Sequence, residues 1–221
     1  MKSRIFSQKA YVSIEQDTLA LLNSEPDLLS PNTFSSTRAA GDAIQEVLSR
    51  KFEGILGSLA SDYKTDFARR AMEDLAFRDM HDNYYAVDVK SHRTSTSFNM
   101  PNLTSVERLA SFYEREENYF ILLMVKYEMQ GSRAVFSRVH FVPIEFLSWD
   151  CLTVGALGWG QIQIANSNNI VVDAQSSRRQ WMLKLCEKMF EFYPKEIAKV
   201  GDRIRRFEEI KAYWTGKPDD S

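Results

Sequence analysis

Residues 72–90, MEDLAFRDMHDNYYAVDVK, constrain the fold more than any other part of the chain. Short apolar residues follow Asp74, a polar connection covers residues 78–83, and alternating aromatic and β-branched residues come next, which is typical of a β-hairpin. Successive side chains of a strand point to opposite faces, so Asp88 and Lys90 share one face. We expect the hairpin to bring Asp74 and Asp88 together beside Lys90.

Two carboxylates beside one lysine are suited to binding Mg²⁺ and orienting a water molecule at a phosphodiester. An Asp-x-Lys triplet on a strand is more often a solvated face, and the triplet alone leaves that alternative open. However, Tyr84, Tyr85, Val87 and Val89 predict an interior strand, where charged groups without a role are costly. The residues therefore favour a nuclease active site.

Length and composition bound the remaining possibilities. The 221 residues are enough for a single domain with a full core, and 44% hydrophobic and 26% charged residues are ordinary for a globular protein. A net charge of −2 does not indicate nucleic-acid binding, so any DNA surface has to be a local basic patch. Because residues 1–16 lack an apolar stretch and the longest apolar run covers only residues 119–125, we expect a cytoplasmic protein without a membrane partner.

The apolar spacing of the chain predicts a mixed α/β fold, in which helices flank a central mixed sheet. A helix is predicted for residues 12–22, and the apolar spacing of residues 38–59 predicts an amphipathic helix. A third helix is predicted to begin at Thr104, with Glu107 completing a capping box. Two more are predicted near the C-terminus, the second beginning at Pro194, a favoured first residue of helices.

Strands are predicted after the hairpin as well. The apolar run in YFILLMVKY predicts a central strand, AVFSRVHFV follows it through a turn at Gly131, and GQIQIA has strand character. We assign residues 1–35 to an N-terminal arm available for dimerisation, residues 36–190 to a catalytic core, and residues 191–221 to a C-terminal helix.

Other kinds of active site lack their sequence signals. His81, His92 and His140 have no cysteine or second histidine at ligand spacing, which argues against a zinc site or a histidine-dependent nucleophile. The glycines of residues 155–160, GALGWG, have the spacing of neither a P-loop nor a dinucleotide fingerprint. Turn glycines are the simpler interpretation.

Four stretches resemble the PD-(D/E)XK nuclease superfamily and, within it, the HincII- and EcoRV-like type II restriction endonucleases. They are RAAGDAIQEVL (38–48), DLAFRD through DVKSHR (74–93), FNMPNLTS (98–105) and GQIQI through RRQW (160–181). The resemblance implies a restriction-endonuclease-like fold and Mg²⁺-dependent hydrolysis of double-stranded DNA at a short palindromic site by a homodimer. It also implies a cognate DNA methyltransferase in the host, a functional rather than a physical partner.

The resemblance carries over to single residues of the hairpin. Asp74 and Asp88 match the metal ligands, the carbonyl of Val89 often completes the metal shell in this superfamily, and Lys90 matches the catalytic lysine. Glu73 stands where the superfamily name has a proline.

The first long helix departs from the family pattern. Gln45 occupies the place of an acid in the family, and Glu46 lies beside it. It stays open whether this helix supplies an additional carboxylate or a supporting contact.

The resemblance also implies DNA contacts. The residues are Ser91, His92, Arg93, Asn99, Asn102 and Gln161. Asn102 follows the proline of the family pattern and matches a base contact, and an amide both donates and accepts hydrogen bonds, as reading a base edge requires. The alternative is that Asn102 caps or braces the helix predicted to begin at Thr104.

Two other functions fit the same sequence. A structure-specific repair or junction nuclease on this fold would differ in whether cleavage requires a base sequence or a branched structure. A catalytically silent DNA-binding module is disfavoured, because Asp74, Asp88 and Lys90 are all present.

Overall fold

The computed structural model describes residues 3–25, 28, 36–67, 71–131 and 133–218. The chain divides into two compact units, Met1–Gln175 and Ser176–Ser221. The first unit contains two sheets and the shorter helices, and the second is dominated by one long helix. The predicted mixed α/β architecture with a mixed central sheet is confirmed.

The larger sheet has the strand order β1-β2-β3-β5-β6 within the described residues. Its strands are β1 (Asp62–Lys64), β2 (Leu75–Arg78), β3 (Tyr84–Arg93), β5 (Asn118–Gln130) and β6 (Arg133–Pro143). Strands β3 and β5 are parallel, and the other neighbours are antiparallel. The apolar run of residues 119–125 is buried in β5 between two neighbours, as predicted for a central strand.

The predicted hairpin is confirmed as β2 and β3, which pair with Leu75 opposite Val87. Its connection is held by Asp79, whose Oδ1 accepts hydrogen bonds from the backbone N–H groups of His81 (2.8 Å) and Asn83 (3.1 Å). Asp82 has a φ of 61°, a left-handed conformation that aspartate tolerates better than most residues. The polar residues between the strands therefore build a fixed turn.

The core lies between one face of the larger sheet and the first three helices. These are α1 (Arg4–Ser7), α2 (Ala10–Ser24) and α3 (Thr37–Leu56). The predicted helix over residues 38–59 is confirmed as α3 and a following 3₁₀ turn, and its apolar stripe is buried. Helix α2 packs on β6, where the Glu15 carboxylate accepts a hydrogen bond from Phe141 N–H (2.8 Å). Residues 3–24 thus belong to this core, and dimerisation through them stays a prediction.

A smaller antiparallel sheet has the order β4-β8-β7, formed by β4 (Asn102–Ser105), β7 (Leu152–Gly155) and β8 (Gln161–Ile164). The prediction that Thr104 caps the next helix is wrong, because Thr104 pairs with Ile162 in this sheet. Ser105 is the N-cap of α4 (Val106–Phe112) and accepts a hydrogen bond from Arg108 N–H (3.2 Å). The strand character predicted for GQIQIA is confirmed by β8.

The second unit contains helix α5 (Arg178–Thr215), capped by the Ser177 side chain. The prediction that a separate helix begins at Pro194 is wrong, and the predicted boundary between residues 190 and 191 falls inside α5. A proline removes the hydrogen bond to the carbonyl four residues earlier, here that of Phe190. Phe190 and Pro194 are both exposed, and the helix continues through the proline to Thr215. No described helix is long and apolar enough to cross a membrane.

Candidate active site

Asp74 lies directly before β2 and is fixed against β3 at both its backbone and its side chain. Its N–H donates to the Val87 carbonyl at 2.9 Å, and its Oδ2 accepts from the Val89 N–H at 2.7 Å. The hairpin register therefore orients the Asp74 carboxylate along the strand that carries Asp88 and Lys90. The sequence predicted this association from the hairpin pattern alone.

Helix α3 reaches the same carboxylate through an amide. Gln45 Nε2 donates to Asp74 Oδ1 at 2.9 Å. One turn earlier, a Cβ on Gly41 would lie 3.2 Å from Ser91 Oγ, so glycine allows the helix to approach β3 closely. Glu46 instead forms an exposed ion pair with Arg50 at 3.5 Å. The sequence left open whether α3 supplies a carboxylate or a supporting contact. The residue that contacts Asp74 is Gln45 and not Glu46, so the contact is a supporting one.

Asp88 is a buried carboxylate with an incomplete set of partners. The Lys90 ammonium pairs with its Oδ1, while its Oδ2 is buried and accepts no hydrogen bond from the described residues. Burial raises the pKa of Asp88 to about 7, the nearby Lys90 charge opposes that rise, and the Asp74 charge adds to it. A buried carboxylate oxygen without a donor is costly, and either protonation or a bound cation would offset that cost.

These residues fit a hard divalent cation. The bare Asp88 Oδ2, the second lone pairs of the Asp74 oxygens and the Val89 carbonyl are oxygen donors of the type that Mg²⁺ prefers. No group of three His, Cys, Asp or Glu side chains suited to a metal occurs in the part of the chain that the structure describes. The rest of an octahedral shell would come from water and from a phosphate-containing substrate.

A cleft of about 480 Å³ opens beside this site, between α3, β3 and the loop after β3. Arg38, Lys90 and Arg93 line it, together with Asp42. Three of the four charged residues that line the cleft are cations, one of them Lys90, which is paired with Asp88, while the whole chain carries a formal charge of −2. This is the kind of local patch that DNA binding by such a chain would require.

The predicted DNA contacts between Ser91 and Asn99 are buried or half-buried, and two of them are held in place by hydrogen bonds. Ser91, Arg93 and Asn99 line the cleft. His92 also lines it but is only 1% exposed, with its Nε2 2.7 Å from Asn168 Oδ1. The Asn99 amide lies 3.4 Å from His92 Nδ1, and its carbonyl accepts from Ser167 N–H at 2.9 Å. His92 and Asn99 therefore anchor the loop that forms one wall of the cleft.

The remaining predicted contacts, Asn102 and Gln161, lie on the smaller sheet. Asn102 is exposed, and its Oδ1 accepts from Gln163 Nε2 at 2.6 Å. The capping alternative for Asn102 is excluded because Ser105 caps α4. Gln163 was missed from the sequence, although the alternation QIQI places Gln161 and Gln163 on one face of a strand. Asn168 was missed because no local pattern marks its contact with β3.

The hairpin and α3 thus assemble two carboxylates, one ammonium group and one amide beside a basic cleft. Such a set is suited to holding a cation and stabilising negative charge on a phosphate. No protein-family model matches the chain, and no curated protein matches it. Function is therefore inferred from the chemistry of the site.

Proposed function

We propose that this protein is a type II restriction endonuclease, a Mg²⁺-dependent endodeoxyribonuclease that cleaves double-stranded DNA at a short palindromic site. The observation that carries the proposal is the buried Asp88, with one bare carboxylate oxygen, held beside Asp74 and Lys90 on one hairpin. In this role the enzyme acts as a homodimer, because two active sites related by two-fold symmetry match a palindrome. The proposed location is the cytoplasm. A cognate DNA methyltransferase protects the host genome.

The chain's own groups have separate tasks in this reaction. Asp74, Asp88 and the Val89 carbonyl hold Mg²⁺, which when bound supplies Lewis-acid stabilisation of the phosphoryl oxygens. The Asp74 carboxylate is kept in place by Gln45 and by the Val89 N–H, so little reorganisation is needed when substrate binds. The rigid hairpin therefore supplies a preformed binding geometry.

Lys90 is the group placed to act on the substrate. Its side chain is 25% exposed and lines the cleft, while its ammonium contacts Asp88. From that position it orients the attacking water by a hydrogen bond and stabilises the negative charge that develops on the phosphate. The arginines Arg38 and Arg93 on the cleft wall attract the DNA backbone without selecting a sequence.

Base reading in this proposal belongs to the smaller sheet. Asn102, Gln161 and Gln163 carry amides on neighbouring strands, and each amide offers both a donor and an acceptor. Bidentate amide contacts to adenine edges are a common way of reading the major groove. Phe98 and Met100, which are exposed in the loop after β3, are suited to pressing on base pairs.

The test is incubation of the full chain with plasmid or phage DNA in Mg²⁺. Discrete fragments are expected, whereas a smear would mean a non-specific nuclease. Cutting restricted to branched DNA would favour a repair or junction nuclease, and DNA retention without cutting would favour a silent binding module. Asp88→Asn serves as the inactive control, and Glu46→Gln, which changes an exposed acid outside the site, serves as the active control.

A further inference from the structure

Helix α5 carries an exposed apolar seam, which consists of eight residues from Phe190 to Trp214 that are alternately three and four residues apart. In heptad notation the a positions are Phe190, Ile197, Ile204 and Lys211, and the d positions are Tyr193, Val200, Phe207 and Trp214. The seven apolar members are between 36% and 76% exposed. In contrast, six apolar residues of α3, between Ala40 and Leu56, are at most 7% exposed. The alternating spacing averages 3.5 residues, which is the repeat of a left-handed coiled coil.

A shallow hollow of about 380 Å³ lies on this seam. It is lined by Val200, Arg203, Ile204, Phe207, Glu208 and Lys211. In a parallel two-stranded coiled coil, a side chain at an a position inserts among residues d, g, a and d of the facing helix. A side chain at a d position inserts among residues a, d, e and a. Val200, Arg203, Ile204 and Phe207 form a hole of the first kind, and Ile204, Phe207, Glu208 and Lys211 form a hole of the second kind. The hollow therefore fits Ile204 and Phe207 of a second copy.

The charges beside the seam agree with one orientation. Arg203 at g and Glu208 at the following e position have no ion-pair partner among the described residues. Their neighbours are paired within the helix as Lys199–Glu196, Arg205–Asp202 and Arg206–Glu209. In a parallel, in-register pair of helices, each g position faces the e position five residues later on the other helix. Arg203 of each copy would then face Glu208 of the other, whereas an antiparallel pair loses both contacts.

Lys211 limits the number of helices. It is the one charged residue among the eight seam positions, and a polar residue at a single a position is known to specify register and oligomeric state. In a pair of helices, a lysine at this position still reaches solvent through its long side chain. In a three- or four-helix assembly the same ammonium group would be enclosed by the other seams.

We propose that residues 190–214 of α5 form a parallel, in-register two-stranded coiled coil with α5 of a second copy of this chain. The proposal rests on the spacing, exposure and charges of α5 alone. It does not require the nuclease activity, and its test measures mass rather than cleavage. A chain that does not cleave DNA leaves this proposal standing, and a dimer formed through another surface leaves the proposed endonuclease standing. A monomer contradicts both the coiled coil and the homodimer of the proposed endonuclease.

The first test measures the mass of the full chain by light scattering after size-exclusion chromatography at micromolar concentration. We expect twice the chain mass of 25.5 kDa. Replacing both Ile197 and Ile204 by glutamate should weaken dimerisation by about 100-fold or more, because four charges would be placed in the seam. Tyr213→Glu is the matched control, since Tyr213 is 59% exposed but lies outside the seam. A monomeric or trimeric wild type, or a dimer unaffected by the paired glutamates, overturns the proposal.

The second test measures the orientation by sedimentation equilibrium. Arg203→Glu and Glu208→Arg should each raise the dimer dissociation constant about three- to tenfold, because each creates two like-charge contacts. The double variant should recover the wild-type value. Circular dichroism checks that helix content is unchanged in these exposed positions. Single variants without effect, or a double variant that fails to recover, overturn the parallel register.

Discussion

Asp79, in the turn before β3, and Asp88, in the middle of β3, are two buried aspartates whose surroundings differ. Asp79 receives four hydrogen bonds, from the backbone of His81, from the backbone and side chain of Asn83, and from the Tyr85 hydroxyl. Asp88 is contacted by Lys90 at one oxygen, while its other oxygen has no donor among the described residues. One carboxylate is fully satisfied by the fold, and the other is left incomplete.

The pKa values of the two groups follow from these contacts. Burial alone would raise the pKa of Asp79, but the hydrogen bonds outweigh it and hold that pKa below its ordinary value. Burial raises the pKa of Asp88 to about 7 because Lys90 compensates only in part. Asp79 therefore stabilises a turn, whereas the incomplete contacts of Asp88 agree with the ligand-binding role proposed above, since binding sites commonly sacrifice stability for function.

The largest effect expected from this comparison is on cleavage. Asp88→Asn, Asp74→Ala and Lys90→Ala should each reduce the single-turnover rate about 100-fold or more, equivalent to about 3 kcal/mol, because each removes a cation ligand or the charge that stabilises the transition state. DNA binding in Ca²⁺ should be retained. Asp79→Asn, in the same hairpin, should cleave at a rate close to wild type when folded. Wild-type rates for Lys90→Ala would exclude this hairpin as the active site.

Stability should show the reverse order. Asp79→Ala should lower the free energy of unfolding by about 2–4 kcal/mol, because it leaves several buried donors without an acceptor. Asp88→Asn should leave that free energy unchanged or raise it, since it removes a poorly satisfied buried charge. Urea denaturation measures both. An Asp88→Asn variant that loses more stability than Asp79→Ala would mean that Asp88 is a structural residue.

Cation binding offers a measurement independent of cleavage. At about 100 times its dissociation constant, Mg²⁺ should stabilise the wild type by about 2.7 kcal/mol, because it binds the folded state selectively. Ca²⁺ should stabilise without supporting cleavage, since its looser coordination positions the reacting groups poorly. Thermal melts with and without EDTA measure the shift. An equal shift in Asp88→Asn would place the cation elsewhere.

The sequence predicts the charged residues of the site better than it predicts the helices and strands around them. Alternation along β3 is a local pattern, so it predicted that Asp88 and Lys90 share a face and that Asp74 joins them. The prediction that Thr104 caps α4 was wrong because Thr104 pairs in a sheet with β8, which is distant in sequence. The prediction that a helix begins at Pro194 was wrong because α5 continues through this exposed residue. Strand β1 was not predicted, since the three residues Asp62–Lys64 at a sheet edge are too few to carry a periodic signal.

The same holds for the amides around the site. That Gln45, rather than Glu46, meets Asp74 depends on the rotation of α3 against the sheet, which is set by the close approach at Gly41. The pairing of Asn102 with Gln163 depends on the register between β4 and β8. Local patterns identify the reactive groups, while long-range packing decides which groups orient them.

Asn102 extends the comparison to an amide that is partly satisfied. Its oxygen is occupied by Gln163, and it is exposed to solvent. If it reads a base, Asn102→Ala should cost about 1–3 kcal/mol of discrimination at one position of the site while the melting temperature barely changes. Cleavage of a panel of single-base variant sites measures this. A lowered melting temperature with intact sequence preference would make Asn102 a structural residue.

The smallest expected effect is the pH dependence contributed by Asp79. Because the folded state lowers the pKa of Asp79, its charged form stabilises the protein above the ordinary pKa of an aspartate, and this contribution is lost as the pH falls through the lowered value. The difference in unfolding free energy between wild type and Asp79→Asn should therefore be constant near neutral pH and shrink below about pH 4. A difference between wild type and Asp79→Asn that stays constant to low pH would show that the negative charge of Asp79 does not contribute to the stability of the turn.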